Sequence, residues 1–187
     1  MDTLVVIGIV VVVAIIVIVL YNKLASLRVR ADAAWADIDA QLKRRYDLIP
    51  NLVETVKGYA GHERETFERV TEMRAQAINA QGVAEQAKAE NMLTQALRTV
   101  FAVAENYPQL RASENFMQLQ GSLAEIEGVI QAARRYYNAV VRDYNTAVHV
   151  VPSSLIARMF NFRDREYFEL EAPEEREAPR VDFSDKD

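Results

Sequence analysis

The sequence contains no cysteine, two histidines, one tryptophan, six glycines and five prolines in 187 residues. The missing cysteine excludes a disulfide framework, a thiol nucleophile, a zinc–cysteine site and a lipid-modified N-terminal cysteine. The scarcity of glycine and proline excludes a collagen-like or low-complexity chain. No glycine-rich phosphate loop and no Gly-x-Ser-x-Gly elbow occurs. An excess of positive charge is also lacking. The net charge of -5 divides into one acid (Asp2) in residues 1–22, a neutral body over 23–151 and an acidic stretch over 152–187. That distribution leaves no electrostatic footprint for nucleic acid. The acidic end reads as a solvated, partly ordered extension.

Hydrophobic residues make up 50% of the chain, yet the mean hydropathy is only -0.11. The two values agree only if the apolar residues are unevenly placed, and Leu4 to Leu20 supplies the unevenness. These 17 residues span about 26 Å as a helix. With Thr3, Tyr21 and Asn22 the run reaches about 30 Å, the thickness of a hydrocarbon core. A lone strand in lipid would leave its backbone groups unpaired, so a helix is predicted. A cleaved signal peptide fits poorly, because Met1-Asp2-Thr3 carries no Lys or Arg and the apolar run is long. Lys23, Arg28 and Arg30 follow the run, whereas Asp2 precedes it. The positive-inside rule therefore predicts a retained single-pass anchor, residues 1–22, with the N-terminus outside and the body cytoplasmic.

Beyond the anchor the apolar positions Leu24, Leu27, Ala31, Ala34, Ile38, Leu42, Ile49, Val53, Val56 and Ala60 follow three–four spacing, with Arg45 as the one polar member. This is the pattern of an amphipathic helix with a coiled-coil-like seam. It continues across Pro50 without a phase jump, which predicts a kinked but continuous helix. Two shorter helices are predicted over about 63–81 and 84–106. A last long one is predicted from Ser113 to Pro152, with the seam Phe116, Leu119, Leu123, Ile126, Ile130, Ala133, Tyr137, Val140, Tyr144, Ala147 and Val151. No strand pattern appears. The expected fold is all-α: the transmembrane helix, then an antiparallel up-down four-helix bundle over 23–151 with two long and two short helices, then the extension 152–187.

At this point specific residues carry a resemblance. Arg44-Arg45-Tyr46-Asp47-Leu48-Ile49-Pro50-Asn51-Leu52-Val53-Glu54-Thr55-Val56-Lys57-Gly58-Tyr59 resembles the signature of the LemA family. So do Glu105-Asn106-Tyr107-Pro108-Gln109-Leu110, Glu114-Asn115-Phe116, Leu119-Gln120, the pairs Tyr137-Asn138 and Tyr144-Asn145, Pro152, and Val181-Asp182-Phe183. The resemblance covers essentially the whole chain. It implies a single N-terminal anchor with the N-terminus outside and a four-helix bundle, but no established activity. Family relatives that take part in forming magnetosome membranes make a role in membrane organisation the expectation.

Chemistry is hard to find. His62-Glu63-Arg64-Glu65-Thr66 opens like a zinc-protease helix, but Thr66 stands where the second histidine is required. Neither His62 nor His149 follows a glutamate by three residues, as a di-iron bundle needs. Arg44, Arg45 and Asp47 read as a structural polar network around Pro50, where a freed carbonyl needs a donor. Asn138 and Asn145, each following a tyrosine in Arg-x-Tyr-Asn one heptad apart, read as two layers of one packing arrangement. No catalytic residue, cofactor, metal or small-molecule substrate is expected.

The unequal helix lengths predict a two-helix stalk near the membrane in which Trp35, Ile38, Tyr137 and Tyr144 are under-covered. Such a patch would self-associate or bind another membrane protein, unless the chain after Pro152 folds over it. Phe160 and Phe162, with Leu155, Ile156 and Met159 and interspersed arginines, suit a short segment at the bilayer surface as well as packing on the stalk. The expected function is a membrane-anchored scaffold or adaptor whose partners are the bilayer and a second copy or another membrane protein. The alternative is a regulatory or chaperone-like subunit of a membrane enzyme such as a protease.

Overall fold

The computed structural model describes residues 2–169. The acidic end, including Val181-Asp182-Phe183, lies outside the described residues. Six helices follow one another: α1 (Asp2–Lys57), α2 (Arg64–Asn79), α3 (Val83–Glu105), α4 (Pro108–Arg111), α5 (Glu114–His149) and α6 (Ser153–Met159). No strand occurs among the described residues.

The apolar run and the first helix of the body are one element. α1 has 56 residues, about 84 Å of helix. Val, Ile and Leu fill its first five turns, and every residue from Asp2 to Ile16 is exposed. From Leu24 onward the three–four seam is buried: Ala31, Ile38, Leu42, Ile49 and Val56 all lie in the core. One helix therefore changes its surroundings midway without a break. Pro50 lies inside it and does not end it.

α1 and α5 form the most extensive interface and run antiparallel: Leu24 shares a cluster with Ala147, Trp35 lies against Tyr137, and Arg45 meets Glu127. α2 pairs with α3, and this hairpin packs on the C-terminal half of α1. Gly82 opens α3 at φ 81°, a left-handed conformation that any side chain would strain. The predicted bounds of the two short helices and of α5 differ from the observed ones by a few residues at most.

The apolar run continues into the first body helix, because nothing between Leu20 and Leu24 breaks helical geometry. Two expectations are corrected. The α5 seam ends before Val151, which is 78% exposed, because Val150 leaves the helix with extended geometry. The stalk is not under-covered: of the two arrangements expected, it takes the one in which the chain after Pro152 folds over it.

Candidate functional site

Two regions gather the residues singled out in the sequence. The first is the stalk. α6 ends at Met159, and Asn161 turns the chain with a left-handed φ of 56°. Phe162 N–H donates to the Ala157 carbonyl at 2.9 Å, the bond that closes a Schellman-type helix end. Asparagine accepts this conformation better than most side chains. From Phe162 to Glu169 the chain has no regular secondary structure; its contacts advance three residues for each heptad of α5, which makes it an extended strap antiparallel to that helix.

The strap is held through its backbone. Tyr144 Oη donates to the Arg163 carbonyl (2.9 Å) and Tyr137 Oη to the Glu166 carbonyl (3.0 Å). Asn145 Nδ2 donates to the Arg165 carbonyl and accepts from the Arg165 N–H through Oδ1, both at 2.9 Å. Asn138 repeats the pair one heptad earlier on Phe168, at 3.1 and 2.9 Å. The spacing has a physical reason. One heptad of helix advances about 10.5 Å, and three residues of extended chain advance about 10 Å. Each Tyr-Asn pair thus meets the strap at the same phase, three residues on. The carboxamide copies the donor–acceptor pair of a neighbouring strand, so backbone groups that no sheet satisfies find partners. Burial raises the pKa of Tyr137 above its usual value against the opposing pull of Arg165, and burial raises that of Tyr144 against Arg28 and Arg165. Both hydroxyls therefore stay protonated donors.

Side chains complete the seal. Phe168 is fully buried, with its ring 5.4 Å from Trp35, which is in turn 5.4 Å from Tyr137. Arg165 pairs with Asp32 across the strap, and His149 with Asp164 at 2.9 Å. Ile38, Tyr137 and Tyr144 are consequently buried and Trp35 half-buried. They offer no open docking face: two helices cannot close around bulky aromatics, and the chain's own strap supplies the third side. Phe160 and Phe162 sit at the base of the stalk, with rings 4.9 and 5.6 Å from Tyr21.

The second region lies around Pro50. Proline 50 cannot donate to the Tyr46 carbonyl four residues earlier. Arg74 of α2 donates to it from Nε at 2.7 Å. The expected donors do something else. Arg44 is exposed and reaches only Gln41 at 3.4 Å, and Asp47 is exposed. Arg45 points into the core, 3% exposed. It forms ion pairs with Glu90 of α3 and with Glu127 of α5 at 2.7 Å. Tyr46 donates to Glu90, and Gln86 Nε2 donates to both Glu90 (2.9 Å) and the Tyr46 hydroxyl (2.8 Å). Burial pushes the Tyr46 hydroxyl up to about 12, against the lowering effect of Arg45 and Gln86. One arginine thus ties together three helices.

Sequence reasoning missed Glu90, Gln86, Glu127 and Arg74. A signal existed for two of them: Glu90 and Gln86 continue the α3 seam backward from Leu93 in steps of three and four. A charged member in the α1 seam calls for such a partner. Arg74 had no comparable signal. Beside Arg45 and Glu127, Leu97, Phe101 and Leu123 line a groove of about 320 Å³ between α3 and α5. No group of three or more His, Cys, Asp or Glu side chains arranged to hold a metal occurs among the described residues.

Comparison with known proteins gives a consistent picture. Magnetosome protein MamQ of Magnetospirillum gryphiswaldense is 23% identical over 174 residues, covering 79% of this chain and 64% of the relative. Magnetosome protein MamQ 2 of Paramagnetospirillum magneticum is 25% identical over 175 residues, covering 80% and 64%. Protein LemA of Metamycoplasma hominis is 25% identical over 149 residues, covering 78% and 64%. The chain thus matches somewhat less than two thirds of the length of each of these relatives. One N-terminal helix long and apolar enough to cross a membrane, together with magnetosome relatives, indicates a membrane location. A family match extends over residues 34–183, and the chain belongs to the LemA family.

Proposed function

We propose that the protein is a single-pass membrane scaffold or adaptor that holds a cytoplasmic helical body at a fixed place on the bilayer. The anchor is 1–22, the body is an antiparallel up-down four-helix bundle over 23–151, and 152–187 is an extension whose first part forms α6 and the strap. The carrying observation is the continuity of α1. Its bare apolar turns and its buried seam belong to one helix, so the orientation of the anchor fixes that of the body. Lys23, Arg28 and Arg30, against Asp2 on the other side, support an outside N-terminus. The magnetosome relatives favour the organisation of membranes or membrane proteins over catalysis.

With the stalk covered, the large apolar side chains still exposed on α5 are Met117, Val129 and Tyr136. These are the better candidates for contact with a second copy or another membrane protein. Purification of the full chain from native membranes in mild detergent tests the reading. A homo-oligomer, or a complex with several membrane proteins, is expected. A stoichiometric complex with one membrane enzyme would favour a regulatory subunit instead. An isolated monomer would contradict both.

A further inference from the structure

The base of the stalk carries an apolar surface that the fold leaves open. Helix α6 buries Ile156 and Ala157 against Leu24 and Ala147, and the same cluster takes in Val17, Leu20, Leu27 and Phe162. Its other side faces outward: Leu155 is 62% exposed and Met159 65%, next to Val151 and Phe160, also exposed. Four large apolar side chains bare on so short a segment cost the protein solubility unless something apolar covers them.

Depth along α1 identifies the covering material. Leu4 to Leu20 spans about 26 Å, short of the ~30 Å hydrocarbon core. The boundary therefore falls near Tyr21 and Asn22. Tyr21 is the residue whose ring meets Phe160 and Phe162. Val17 and Leu20 pack on the same cluster as Ile156 and Ala157 of α6, so the lipid that surrounds the last turns of the apolar run reaches the level of α6 as well. Charge agrees. Residues 3–31 and 144–163 contain no acid, and they contribute Lys23, Arg28, Arg30, Arg158 and Arg163. The first acids beyond these stretches, Asp32 and Asp164, are both paired, with Arg165 and His149 respectively. Apolar residues at headgroup level under a ring of exposed arginine and lysine are the chemistry of an anionic leaflet.

The geometry points to α6 as a collar seated in the headgroup–acyl boundary of an anionic leaflet, with Leu155, Met159 and Phe160 in the lipid. This rests on the reading of α1 as membrane-spanning. A lone helix is free to slide and tilt in a bilayer. The collar adds a second point of attachment beside the first, and the Tyr21 contacts join the two. Because α1 is continuous, fixing its depth and tilt fixes the body.

The native chain has no cysteine, so single cysteines can carry nitroxide labels without background. The full chain would be reconstituted in vesicles of phosphatidylcholine containing phosphatidylglycerol, labelled in turn at Leu155, Met159, Val10 and Asp143. Collision with oxygen reports lipid, and collision with a water-soluble nickel chelate reports water. Labels at positions 155 and 159 should resemble the one at 10, with oxygen favoured, and the label at 143 should favour nickel. If position 10 is lipid-like while 155 and 159 behave like 143, the collar is refuted and the anchor stands. If position 10 itself is water-exposed, the anchor reading fails. Shielding of 155 and 159 from both reagents would mean a protein covers the face, which also refutes the collar. In vesicles of phosphatidylcholine alone, and in an Arg158→Gln, Arg163→Gln variant, both labels should sit shallower. Unchanged depth in both would refute the anionic part of the proposal.

Discussion

Replacing Asn138 and Asn145 by alanine isolates the strap. Each carboxamide makes two hydrogen bonds to strap backbone. At about 1 kcal/mol net per bond, either single substitution should weaken the strap by about 2 kcal/mol. That is roughly a 30-fold increase in its opening constant, and the double variant approaches 1,000-fold if the sites act independently. Alanine raises helix propensity at both positions, so α5 itself should not suffer. The chain's one tryptophan provides the assay, since Trp35 packs on Phe168. Detachment should red-shift its emission and increase quenching by acrylamide, while far-ultraviolet circular dichroism stays constant. Amide exchange at Arg165 and Phe168 should speed up by the factors above. Unchanged exchange at these two amides in the double variant would refute the reasoning, because it would mean that Phe168 burial alone holds the strap. Loss of helix signal in step with the fluorescence change would refute it differently, by showing that the strap is inseparable from the body.

Other consequences follow from the same structure. Arg45→Met should cost about 3–5 kcal/mol in chemical denaturation, because Glu90 is left charged, buried and unpaired; adding Glu90→Gln should recover most of the loss. The folded pKa of Tyr46 is about 12 against 10 in the unfolded chain. The stabilisation is therefore complete below about pH 10 and is lost as pH rises from 10 through 12; Tyr46→Phe should flatten the alkaline fall in melting temperature over that window. Asn161→Val places a branched side chain at φ 56° and should cost about 1–2 kcal/mol, read as faster amide exchange at Phe162, whereas Asn161→Gly should be close to neutral.

The Arg-x-Tyr-Asn repeat stands out in the sequence, but its partner is a backbone, and backbone groups leave no trace in side-chain patterning. The buried Arg45 was visible as an intruder in an apolar seam. Its partners were legible only as seam continuation, because opposite charges on α3 and α5 are common enough to hide the right ones. The donor for the Tyr46 carbonyl is not a neighbour in sequence but Arg74 of α2, since the tertiary fold presents whichever arginine lies opposite the proline.

By itself the sequence determined the helices, their seams and the apolar run at the N-terminus. These follow from local periodicity, proline placement and the length of a hydrophobic stretch, all of which act over a few residues. Only the tertiary structure decided that the stalk is closed by its own chain and that α6 presents an apolar face beside Tyr21. Both depend on how far one segment must reach to satisfy another, a matter of lengths in three dimensions: three extended residues match one heptad of helix, and a short helix after Pro152 ends level with Tyr21 at the end of the apolar run.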